Sequence, residues 1–129
     1  MASRLDGVVV VLVEDDDDTR AAVQLMLRFQ GAHVLSAPNA DAALTMLGLI
    51  RPTVVVSDIV MPGADGWWMV AEARRRGYLQ DVPKIATTSL DIQPEEVRSR
   101  GFDAYLRKPV DLAVLCATID ALTRGQTAA

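Results

Sequence analysis

Four places in the sequence, each at the end of a short apolar run, carry groups that could do chemistry together: Glu14-Asp15, Asp58, Thr88 and Lys108. None has the character of a core residue. Three carboxylates gathered in one cleft repel and raise one another's pKa unless a cation neutralises them. Hard oxygen ligands in a partly open site suit Mg²⁺, which keeps several waters and takes one or two carboxylates together with phosphate oxygens. A carboxylate beside such an ion is already an anion, so it can attack phosphorus without a general base and form an aspartyl phosphate. Phosphoryl transfer is helped mainly by positioning and by neutralising charge on the equatorial oxygens. Mg²⁺, Lys108 and the Thr88 hydroxyl are three such neutralisers.

The elements that must position these groups alternate along the chain. Val8 to Val13 is a continuous aliphatic run, as expected of a central parallel strand buried on both faces. Four aspartates follow, then a helical period from about Asp17 to Gln30 with an apolar stripe of Ala22, Val23, Met26, Leu27 and Phe29, and Gly31 where a C-cap belongs. His33 to Ser36 reads as a second strand, and Asn39 caps a helix that buries Ala43, Leu44 and Leu47. Val54 to Val56 is a third strand ending at Ser57-Asp58, and the segment Met61 to Gly66 is a loop leading to a helix over Trp67 to Arg76. Lys84 to Thr87 is a fourth strand, Glu95 to Arg100 a short helix begun near Pro94, and Ala104 to Leu106 a fifth strand. Asp111 caps the last helix, with Leu112, Leu115 and Ile119 at helical spacing, Val110 stapling onto Leu115, and a frayed tail after Thr123.

Strands and helices in alternation with short connections predict an α/β fold with a doubly wound parallel sheet covered on both faces. Ligands in such sheets bind outside the carboxyl ends of the strands. All of the candidate groups fall there. The 129 residues, 50% hydrophobic and 23% charged, fit one domain spanning 1–129 with its core over about 7–123. The net charge of −4 argues against direct nucleic-acid or anionic-lipid binding. No apolar run is long enough for a membrane span and no basic leader precedes the first one, which points to the cytoplasm. Cys116 is the only cysteine, so neither an intrachain disulfide nor a multi-thiolate metal site can form, and it reads as a small core residue.

The motifs together resemble a response-regulator receiver domain of two-component signalling, flavodoxin-like in fold with strand order 2-1-3-4-5. The resemblance rests on Val11-Leu12-Val13-Glu14-Asp15, on Ser57-Asp58-Ile59-Val60-Met61-Pro62-Gly63-Ala64-Asp65-Gly66, on Thr88-Ser89, and on Tyr105-Leu106-Arg107-Lys108-Pro109. It implies that Asp58 is the phosphoacceptor, that Asp15 ligates Mg²⁺ directly and Glu14 through water, and that the main-chain carbonyl of Val60 completes the protein ligands. It further implies that Lys108 pairs with the phosphoryl group, that Thr88 moves toward it, that Tyr105 rotates inward with that motion, and that a cis peptide bond precedes Pro109. The partners it implies are a histidine kinase or histidine phosphotransfer protein and a downstream protein target, met on a face of the fourth helix, fifth strand and fifth helix. The reading is of a free-standing regulator, though a receiver excised from a hybrid kinase has the same sequence character. Two departures stand out: Val60 is apolar where many receivers carry a polar residue, which implies slow dephosphorylation, and Pro94 shortens or shifts the fourth helix.

Rival readings are weaker. Asp15, Asp17 and Thr19 spell the D-x-D-x-T of haloacid-dehalogenase-like phosphatases, which would make Asp15 the nucleophile and leave Asp58 unexplained. A receiver-like scaffold that is never phosphorylated should lack an active-site residue, and none is missing. An EF-hand fails because Arg20 stands where glycine is needed. His33, the lone histidine, reads as structural or solvated, and Arg74-Arg75-Arg76 as cations suited to a helix C-terminus. Asp16 and its neighbours suit a helix start, and Asp65-Gly66 a turn and helix start rather than a ligand. Of the tryptophans, Trp67 should be partly covered and Trp68 largely exposed, the latter lying along the surface or anchoring a partner or a second copy as a homodimer.

Overall fold

The aliphatic runs become the strands of one parallel sheet because they can be covered on both sides. The computed structural model describes residues 5–127, with side chains through 124. In chain order the elements are β1 (Val9–Val13), α1 (Asp17–Phe29), β2 (His33–Ala37), α2 (Ala40–Leu49), β3 (Val54–Asp58), α3 (Gly66–Arg75), β4 (Lys84–Thr88), α4 (Pro94–Ser99), β5 (Ala104–Arg107) and α5 (Leu112–Thr127). The sheet has the order β2-β1-β3-β4-β5 and every pairing is parallel. The flavodoxin-like order read from the sequence is the observed one.

Side chains alternate across the strands and divide the core in two. Val11, Val13, Val55 and Ala86 join Leu44, Leu47, Met69, Val70 and Phe102 beneath α2, α3 and α4. Val10, Leu12, Val54, Val56 and Ile85 join Leu27, Leu115, Cys116 and Ile119 beneath α1 and α5. Fully burying one such side chain contributes about 1.5–3 kcal/mol, so the two clusters hold the helices to the sheet on both faces. Cys116 takes the core position expected of it.

Local chemistry sets the helix ends. Asn39 accepts the Ala42 N–H at 2.8 Å, Asp65 the Trp68 N–H at 2.9 Å, and Asp111 the Ala113 N–H at 2.9 Å. Gly31, at φ +97, lets the chain turn out of α1 while Ala32 donates back to the Leu27 carbonyl. The short α4 begins at Pro94 as expected. Three expectations need correction. The core begins at Leu5, which is buried and whose N–H bonds the Gln30 carbonyl. The last helix continues past Thr123, whose hydroxyl donates to the Ile119 carbonyl, and is assigned as far as Thr127. In the apolar stripe of α1 only Leu27 is buried; Ala22, Met26 and Phe29 face solvent, Phe29 being 80% exposed. One helix contributes one narrow line of contact to the sheet edge, and α1 carries more apolar residues than that line can cover.

Candidate active site

Parallel register positions the site. Val13 lies opposite Ser57, so the next rung sets Glu14 beside Asp58. Asp58 pairs with Thr87 and Thr88 with Arg107, so Thr88 and Lys108 each stand one step past their neighbours. The Lys108 N–H extends this pattern by donating to the Thr88 carbonyl at 2.8 Å. The peptide bond between Lys108 and Pro109 is cis. The carboxyl ends of β1, β3, β4 and β5 thus bring together the groups that the sequence scatters over almost a hundred positions.

Asp58 and Glu14 are each only 4% exposed, and Asp15 is half-buried. The Lys108 Nζ lies 2.8 Å from Glu14 Oε1 and 3.0 Å from Asp58 Oδ2. Glu14, Asp15 and Asp58 can each turn a carboxylate oxygen inward so that the oxygens lie within 4.8 Å of one another. Burial raises the Asp58 pKa to about 6; Lys108 opposes the shift, and Glu14 and Asp15 add to it. Burial disfavours the charge on Lys108, yet its bonds to Glu14 and Asp58 outweigh that and hold its pKa above the usual lysine value. One ammonium therefore does not satisfy three carboxylates. A hard divalent cation fits this donor set on charge and on ligand chemistry, and Mg²⁺ is the ion such oxygens suit.

The surrounding loops fix these groups in place. Asp16 caps α1, accepting from the Thr19 N–H at 2.8 Å and the Thr19 hydroxyl at 2.6 Å, bonds that hold its carboxyl below the usual range. The Asp16 N–H in turn donates to Glu14 Oε2 at 3.1 Å. Arg20 donates to the Glu14 carbonyl at 2.9 Å while pairing with Asp17 at 2.6 Å. The acidic run is thus a helix start that also orients Glu14. Val60, 54% exposed, lies in the loop after Asp58. That loop closes where the Gly66 N–H donates to the Ile59 carbonyl at 2.8 Å. A Cβ at Gly66 would stand 2.3 Å from the Asp58 carbonyl oxygen, so only glycine lets α3 start so close to the strand end.

Thr88 is buried, and its hydroxyl accepts the Leu90 N–H at 3.1 Å. The Tyr105 hydroxyl donates to the Leu90 carbonyl at 2.5 Å. Both switch candidates therefore grip one residue, Leu90, from its two backbone sides. Leu90, Gly66 and Arg20 are positioning residues that sequence reasoning did not assign. Gly66 was legible as part of a D-G turn, but nothing in the sequence marks Leu90, whose part is played by its backbone. His33 is exposed and away from these groups in the register, at the opposite end of β2. Arg75 and Arg76 pair with Glu72, whose carboxyl they pull down to about 2, as cations at a helix end.

Residues 10–120 match the response regulator receiver domain. The chain belongs to that family. PilH of Pseudomonas aeruginosa is 30% identical over 118 residues, covering 90% of this chain and 98% of PilH. An uncharacterized 14.6 kDa protein from Leptolyngbya boryana is 39% identical over 105 residues, 79% of each chain. Among solved structures, the receiver domain of the sensor histidine kinase PA1611 from P. aeruginosa superposes with a TM-score of 0.83 at 26% identity, covering 92% of this chain and 98% of that one; it holds a magnesium ion in its active-site cleft. Receiver domains bind Mg²⁺ in this acidic site and work with histidine kinases or phosphotransfer proteins. The family match gives no support to the haloacid-dehalogenase-like reading of Asp15 or to a non-phosphorylated scaffold. Among the described residues no helix is long and apolar enough to cross a membrane.

Proposed function

We propose that Asp58 is the phosphoacceptor of this receiver domain. The observation that carries the reading is a buried Asp58 with an ammonium 3.0 Å away and two further carboxylates within metal-sharing distance. The Asp58 carboxylate attacks the phosphorus of a donor phosphohistidine. A bond forms between phosphorus and Asp58 oxygen, the phosphorus–nitrogen bond to the donor breaks, and the released imidazole takes a proton from solvent. Glu14, Asp15, Asp58 and the Val60 main-chain carbonyl would hold Mg²⁺, Glu14 through water. Bound there, the ion supplies positive charge against the carboxylates and the phosphoryl oxygens.

Lys108 follows the charge: it already spans Glu14 and Asp58 and needs only a small swing to meet a phosphoryl oxygen. Thr88 leaves the Leu90 N–H to donate its hydroxyl proton to the phosphoryl group. Tyr105 holds the Leu90 carbonyl, so release of the N–H by Thr88 moves a segment that Tyr105 still grips. The output is a protein contact on the face built by α4, β5 and α5, and the setting is the cytoplasm, where a phosphorylated kinase or phosphotransfer protein can reach it. Acetyl phosphate should label the protein only with Mg²⁺ present, and Asp58→Asn should abolish the label by intact-mass measurement. Undiminished labelling of Asp58→Asn, with the phosphate mapped to Asp15, would overturn the assignment.

A further inference from the structure

The groove between α3 and the C-terminal end of α4 lies outside the cleft, shares only Ser99 and Arg100 with α4, and has the chemistry of a binding site. It encloses about 440 Å³ and is lined by Trp67, Trp68, Val70, Ala71, Arg74 and Arg100, with Asp65 and Ser99 at its edge. Arg100 stacks 4.1 Å above the Trp67 ring, which meets Phe102 edge-on at 5.6 Å. That stack fixes a planar cation on an aromatic floor. Arg74, also in the lining, packs over Gly101, where an added Cβ would lie 3.4 Å from the guanidinium. Arg75 and Arg76 are taken up by Glu72, whereas among the described residues no carboxylate pairs with Arg74. Arg100 has only an exposed partner, Glu96, at 3.7 Å, a contact of small energy. The Asp65 carboxylate is engaged in capping α3. Trp68, 41% exposed, forms the rim.

We propose that this groove docks an acidic segment of a partner protein that carries an aromatic or large apolar side chain, its carboxylates on Arg74 and Arg100 and its apolar side chain against Trp68. Charge complementarity favours this occupant. The chain is net negative, at −4, yet Arg74 and Arg100 both line this groove. Arginine and tryptophan are the side chains over-represented among interface residues that carry binding energy. Two guanidinium groups match a few carboxylates, the size of an acidic motif recognised by arginines. An extended phosphate backbone needs a longer run of cations than the two arginines that line this groove.

The chain's two tryptophans both line the groove, so binding can be read directly. In the wild-type chain, with the Trp67 floor intact, the tryptophan emission reports the groove. Titration with a short synthetic peptide of glutamates around one phenylalanine should shift that emission to the blue, saturably and less strongly at high salt. Arg74→Glu should weaken the titration about tenfold or more, the loss expected of a charge-assisted contact. If Arg74→Glu does not keep the wild-type circular dichroism, Arg74→Gln replaces it, with the same direction expected. No saturable shift, an unchanged midpoint in the folded arginine variant, or tighter binding of a single-stranded oligonucleotide than of the peptide would each overturn the proposal.

Discussion

At the carboxyl end of the sheet Lys108 holds both Glu14 and Asp58 within 3.0 Å, whereas along α1 Met26 and Phe29 of the apolar stripe stand 39% and 80% exposed. Both regions were marked in the sequence by residues of the expected type at the expected spacing. Strand register explains why one came together and the other did not. Parallel pairing is all-or-none along a strand, so fixing Val13 against Ser57 and Asp58 against Thr87 fixes the cleft with them. A helix on a sheet edge has no such ladder. Its apolar residues compete for one line of contact, and on α1 Leu27 takes it.

The largest effect that tests this contrast is at Gly66. Its φ is not the obstacle; space is, because a Cβ would meet the Asp58 carbonyl oxygen at 2.3 Å and the Ile59 Cα at 3.0 Å. Both are backbone atoms and cannot rotate away. Gly66→Ala should cost roughly 3 kcal/mol, the upper end of overpacking penalties, measured by urea denaturation. It should also reduce phosphorylation by acetyl phosphate, since the strain falls on the residue that carries Asp58. A stability within experimental error of wild type would show that the loop, and with it the cleft, is far softer than the register implies.

Lys108 and pH come next. Lys108→Ala should still fold and still take up phosphate, but lose most of the phosphorylation-dependent change in the spectra of Leu90 and Tyr105; a charge-assisted bond of this kind contributes about 1.5–3 kcal/mol. Unchanged spectra in the variant would remove Lys108 from the switch. For pH, the folded Asp58 pKa of about 6 lies above the ordinary value of 3.8, so the metal-free fold holds this proton more tightly than the unfolded chain does. Its contribution to stability is present at low pH and is lost as pH rises through about 6. Mg²⁺ needs the ionised carboxylate, so the proton competes with it below that point. The rise in Tm on adding Mg²⁺ should be larger at pH 7.5 than at pH 5, and an equal rise at both would mean that Asp58 is not among the ligands.

How much of this was legible follows from the same contrast. Strand order, the caps at Asn39, Asp65 and Asp111, and the placing of Glu14, Asp15, Asp58, Thr88 and Lys108 at strand ends were readable because each rests on local pattern or on topology. The shared grip of Thr88 and Tyr105 on Leu90 was not, because it joins a hydroxyl two residues away to one fifteen residues away through backbone atoms that any amino acid supplies. Nor was the Arg100–Trp67 stack, which depends on how the short α4 returns to β5. Trp67 was expected to be partly covered and is; Trp68 is exposed to 41%, less than expected, because the groove wall shields part of it.

The smallest expected effect is the sharpest test of the α1 side of the comparison. The spacing that put Phe29 in the apolar stripe would make it a core residue, and truncating a buried phenylalanine costs about 3–5 kcal/mol. At 80% exposure it has almost no packing to lose. Phe29→Ser should therefore change stability by no more than about 0.5 kcal/mol, as for surface sites in general. Leu27→Ala, two residues earlier and fully buried, should cost about 2–5 kcal/mol in the same denaturation series. The pair separates spacing from facing within one helix. Equal losses at the two positions would mean that Phe29 is covered in solution, by a second copy or by a neighbouring segment. A concentration-dependent sedimentation coefficient that Phe29→Ser abolishes would identify the former.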